Sequence, residues 1–108
     1  MSTEVEERIK RIEQHKGVKG IMIVNNKNQF VRCTMKDSLE ANKYAIKLVE
    51  VANQARDLVR SLDSTNDLTF VRITCQDYEM MIAPDSGSGE DDDSMYYLIV
   101  VQFKNEKK

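Results

Sequence analysis

One histidine, two cysteines and a run of four carboxylates are the residues of this sequence best equipped for chemistry. His15 stands alone, so neither a Ser-His-Asp constellation nor a histidine-bearing metal cluster has enough to draw on. It lies just before Gly17 at the end of a short amphipathic stretch, where an imidazole suits the negative end of a helix dipole. Cys33 and Cys75 form no Cys-x-x-Cys motif and fall inside apolar runs, which reads as buried, reduced core thiols rather than nucleophiles. Gly17 and Gly20 lack the further glycines and the following helix of a phosphate-binding loop. The Glu90 to Asp93 run could hold a hard cation, but the alternating oxygen ligands and flanking helices of a calcium loop are missing, so a solvated loop is expected. Ser88-Gly89-Glu90-Asp91 has the spacing of an acid-directed kinase acceptor. The methionines at 22, 35, 80, 81 and 95 sit in strand-like runs and read as core, with Met81 alone held open as part of an adaptable surface. No catalytic, cofactor-binding or metal-ligating set emerges.

The elements that carry these residues are more informative. The chain has 108 residues and a net charge of −2, a near-balance that argues against nucleic-acid binding. Removing the four carboxylates of Glu90 to Asp93 would turn that balance to +2, so the acidity belongs to one loop. The longest unbroken apolar run, Tyr96 to Val101, is far short of the ~20 residues a membrane helix needs. The acidic start lacks the apolar core of a secretory signal. A single soluble, intracellular domain over 1–108 is expected, with a mobile acidic loop at 85–94 and a short charged tail at 104–108.

Thr3 and Glu6 read as a capping box opening a first helix with Val5, Ile9 and Ile12 on its apolar stripe, stopped at Gly17. Val18 to Val24 and Phe30 to Met35 form a hairpin around an Asn-rich turn. Asp37 and Glu40 form a second capping box for a helix over Leu39 to Leu62. Its apolar positions make two overlapping stripes, one through Ala41, Ala45, Leu48, Ala52, Ala55, Val59 and Leu62, the other through Tyr44, Leu48, Val51, Ala55, Leu58 and Leu62. That is wider than one sheet face requires, so part of it is read as an interface. Leu68 to Cys75 and Tyr78 to Ala83 form a second hairpin, with the loop from Pro84 and a final central strand, Met95 to Phe103, after it. A two-residue turn at Gln76-Asp77 makes paired positions sum to 153. Val71, Ile73, Cys75, Tyr78, Met80 and Ile82 then share an apolar face for the long helix, leaving Phe70, Arg72, Thr74, Glu79, Met81 and Ala83 on a mixed face.

Four blocks resemble the roadblock family of dynein light chains: Lys16 to Asn25, Asn66 to Ile73, Met81 to Asp85 and Tyr97 to Gln102. They occur in the family's order and spacing, and the likeness runs from about Glu4 to Gln102. The resemblance implies an α+β fold of topology α-β-β-α-β-β-β, with a five-stranded, mainly antiparallel sheet of order 2-1-5-4-3 and helices on both faces. It implies a homodimer with third strands paired edge to edge through Thr69, Val71 and Ile73, and long helices packed through Tyr44, Leu48, Val51, Ala52, Ala55 and Leu58. It further implies a non-catalytic subunit that binds the dynein intermediate chain on the opposite face, by way of Ile9, Ile12, Phe70, Arg72 and Met81, in the cytoplasm at the cytoskeleton or in an axoneme. A roadblock-family scaffold or regulator of a small GTPase is the alternative. Two departures stand out: the segment Ser86 to Ser94 is an insertion, and Asn28-Gln29 occupy a turn where relatives often carry glycine.

Overall fold

The computed structural model describes residues 6–8, 10, 11, 17–85 and 95–103. Thr3, Val5, Ile9, Ile12, His15, the 86–94 segment and the 104–108 tail, with the expectations attached to them, lie outside those residues. Helical backbone is present at 6–8, 10 and 11. Strands β1 (Val18–Asn25) and β2 (Phe30–Cys33) follow, then helix α1 (Ser38–Leu62), then β3 (Val71–Thr74), β4 (Tyr78–Asp85) and β5 (Tyr96–Phe103). The strands form one antiparallel sheet in the order β2-β1-β5-β4-β3.

Each turn has a local cause. Gly17 takes φ 88°, a left-handed conformation natural to glycine, and turns the chain into β1. Asn28 takes φ 63° in the β1–β2 turn, while the Asn25 side chain accepts from the backbone N–H groups of Lys27 and Gln29 at 2.9 and 3.0 Å. Asp37 caps α1 by accepting from Leu39 and Glu40 N–H. Glu40 does not close the reciprocal half of a capping box in the hydrogen bonds described; its carboxylate pairs with Lys19 on β1 at 2.9 Å.

The sheet divides the apolar residues into two clusters. On the α1 side lie Met22, Val24, Ile82, Tyr97, Ile99 and Val101, packed with Ala41, Ala45, Leu48, Val49 and Ala52 of the helix. Small residues on α1 let the helix lie close to the sheet, and Tyr97 OH donates to Asn53 Oδ1 at 2.7 Å to hold that approach. On the opposite side Ile21 is fully buried and Ile23 nearly so, with Val18, Leu98 and Val100 against them. Arg32 on β2 reaches Glu6 in an ion pair, which places the N-terminal helical residues on this second side.

Three expectations need correction. The strand expected over Leu68 to Cys75 is reduced to Val71–Thr74. Pro84 and Asp85, expected in the loop, belong to β4 and pair with Tyr97 and Tyr96. Both changes share a cause: continuing the register would set Thr69 opposite Pro84, which has no N–H to give, so the β3–β4 ladder ends at Val71–Ile82. Beyond that point β5 is the only strand beside β4 among the described residues, and a proline is tolerated there. The third concerns Cys33 and Cys75, which are free but only half-buried: Cys33 ends β2 and Cys75 lies just past β3.

Candidate functional site

Among the described residues, the chemistry-bearing side chains converge nowhere. No group of three or more His, Cys, Asp or Glu residues among the described residues could hold a metal ion. No helix among them is long and apolar enough to cross a membrane. What the fold does assemble is exposed apolar surface on either side of its β3 edge.

The first surface combines α1 with β3. Strand β3 ends the sheet, and among the described residues no strand lies beside its outer side. Between it and α1 runs a groove of about 440 Å³ lined by Tyr44, Leu48, Val51, Ile73, Tyr78 and Met80, with Glu40, Lys43 and Lys47. Farther along the helix Leu58 and Leu62 stand 59% and 79% exposed. Of the residues expected at a dimer contact, Tyr44 and Ala55 are half-buried and Val51, Leu58 and Thr69 exposed, while Val71 and Ile73 are half-buried beneath the helix. Leu48 and Ala52 are buried in the protomer's own core, so their role there is already committed.

Two ion pairs hold this surface in shape. At one end Lys19 Nζ bonds Glu40 and lies 5.7 and 5.6 Å from the ring centroids of Tyr44 and Phe103. The Glu40 hydrogen bond raises the Lys19 pKa above its usual value, against the opposing effect of burial. At the other end Arg56 meets Asp67 at 3.0 Å and reaches the Met95 sulfur, tying α1 to the segment before β3. That contact holds the Asp67 carboxyl below the usual carboxylate range. The Tyr78 hydroxyl beside Cys75 has its pKa raised, chiefly by that thiol. None of these ties was foreseen from the sequence. Lys19 is displaced by the irregularity in β1 between Val18 and Gly20, which periodicity does not reveal.

The second surface is the mixed face of β3 and β4. Phe70 is 50% exposed, Arg72 is exposed and bonded to Glu79 at 2.9 Å, and Met81 is half-buried opposite Arg72 in the ladder. Arg72 and Met81 are thus paired across the ladder, while Phe70 lies just before β3. Ile9 and Ile12, expected beside it, lie outside the described residues.

Comparison with known proteins gives this geometry a context. A crystal structure of a Roadblock/LC7 domain from Streptomyces avermitilis superposes with a TM-score of 0.71 at 12% identity, covering 86% of this chain and 72% of that one. At that identity the likeness speaks for the fold. The sequence pattern of the Roadblock/LC7 domain matches residues 4–102. With nearly the whole length matched and the strand order β2-β1-β5-β4-β3 in place, this chain belongs to the Roadblock/LC7 domain family.

Proposed function

We propose that the chain is a non-catalytic light-chain subunit of a dynein motor complex, a homodimer that binds and stabilises dynein intermediate chains. The observation that carries this reading is the apolar ridge on α1 set beside an edge strand whose outer side has no partner strand among the described residues. Domains of this family are generally non-catalytic scaffold or regulatory domains that commonly form dimers and bind partners. In this reading β3 edges pair across the two copies through Thr69, Val71 and Ile73, and the α1 helices pack through Tyr44, Val51, Ala55 and Leu58. Pairing would cover an edge that otherwise invites aggregation. The intermediate chain supplies an amphipathic helix to the face bearing Phe70, Arg72 and Met81, where an apolar stripe meets one aromatic ring and one thioether beside a guanidinium. The protein then acts in the cytoplasm at the cytoskeleton, contributing to microtubule-based transport.

The test is identification of the chains that co-purify with the tagged protein from cell extract. Dynein intermediate chain is expected among them. Its absence, with a small GTPase assembly in its place, would establish the scaffold or regulator reading instead.

A further inference from the structure

We infer that the β2 edge of the sheet is a separate docking surface, which takes an extended, acidic segment of a partner chain as an added strand. Strand β2 is the sheet edge opposite β3, and among the described residues no strand lies beside its outer side. Just past the strand, Thr34 N–H donates to Ile21 O at 2.9 Å. Backbone groups alternate in direction along an antiparallel ladder, so those of Cys33 face outward. Val24 pairs with Phe30 and Ile23 with Arg32, which leaves Val31 as the extra residue of a bulge with no β1 partner. Phe30 and Val31 are 38% and 40% exposed. Bulges and charges within the strand usually defend a sheet edge. Here the one charge in the strand, Arg32, is drawn off to Glu6 on the side away from α1, and two large apolar side chains remain at the open edge.

Charge selects the occupant. Residues 17–47, which build β1, β2 and the start of α1, hold six Lys or Arg against two Asp or Glu. Residues 48–85 hold three against seven, so the β2 side of the domain is its positive side. Lys27 and Lys36 bracket β2, are exposed, and enter no ion pair among the described residues. Asp37, the next anion along the chain, is committed to the α1 cap. A second copy is a poor occupant. Antiparallel pairing of Phe30–Cys33 with itself would set each Lys27 opposite a Lys36, and like charges facing across strands are destabilising. An anionic lipid surface would satisfy the lysines, but hydrocarbon offers no hydrogen-bond partner to the outward backbone groups. An extended acidic peptide supplies both, with main-chain bonds to the edge and carboxylates at its ends. The surface does not draw on the β3 edge, so this inference and the homodimer reading stand or fall separately.

The probe is a short peptide that alternates valine and threonine and carries glutamates at both ends, titrated into the isotope-labelled full chain and followed by amide NMR. The largest shift changes and the strongest slowing of amide exchange are expected at Val31 and Cys33. Added salt should weaken the complex. Lys27→Glu combined with Lys36→Glu changes exposed residues outside the strand, and should weaken binding several-fold while amide shifts elsewhere stay in place. A peptide ending in lysines instead of glutamates should bind several-fold more weakly to the wild-type chain. Equal binding of the two peptides, shifts centred on residues 69–73 or on Phe70 and Met81, or no shift at all would overturn the proposal. Self-association that Val31→Lys removes would make a second copy the occupant and overturn it as well. So would co-sedimentation with phosphatidylserine vesicles that the acidic peptide fails to compete away. A chain that sediments as a monomer yet binds the peptide at β2 would fail the homodimer reading and leave this inference standing.

Discussion

Gly20 packs closely against Met35 of the β2–α1 connection. A Cβ built there would lie 2.1 Å from Cγ of Met35, whose side chain is itself buried. Gly20→Ala should therefore cost about 1–3 kcal/mol by overpacking, read from urea unfolding. In a double-mutant cycle with Met35→Ala the cost at position 20 should shrink, because the clashing atoms are gone. Asp67 makes a different kind of contribution. Its folded pKa lies below the ordinary 3.8, chiefly because Arg56 hydrogen-bonds the anion. Its stabilising effect is thus present above about 3.8 and lost as pH falls through the depressed folded value. Asp67→Asn should lower stability by about 0.5 kcal/mol near neutral pH, the modest size expected of an exposed pair. Urea titrations should show that difference closing below pH 3.8. Single residues of this kind were legible only where the contact was local. Asp37 and Asn28 could be read from their own neighbourhoods, whereas Arg56–Asp67 and Lys19–Glu40 join segments 11 and 21 residues apart.

At the level of elements, alternation and turn length carried most of the information. The two-residue turn at Gln76-Asp77 was enough to place Val71 opposite Ile82 and Thr74 opposite Glu79, since register follows once the turn is known. Strand ends were harder, because Pro84 reads as a loop residue until one knows that the β3–β4 ladder has ended. The exposure along α1 separates two uses of its apolar residues that the sequence merges. Leu48 is buried against the sheet, so Leu48→Lys should abolish folding by burying an unpaired charge. Leu58 is exposed in the protomer, so Leu58→Lys should leave helical content and the protomer fold intact in circular dichroism while shifting the homodimer toward monomer. Loss of folding at both positions would mean that Leu58 supports the protomer itself.

For the whole molecule, the candidate surfaces were less legible than the fold. Spacing showed that α1 carries more apolar surface than one sheet face uses, but not that the excess divides into a groove and a projecting end. That division depends on β3, which comes alongside α1 only when the sheet is assembled. A domain of 108 residues buries a modest share of its surface alone, and the ridge and β3 edge are where a second copy would extend the core. Sedimentation equilibrium of the chain alone at micromolar concentration tests this most directly. A homodimer gives a species of twice the 12.5 kDa chain mass; a species of 12.5 kDa across that range would contradict it.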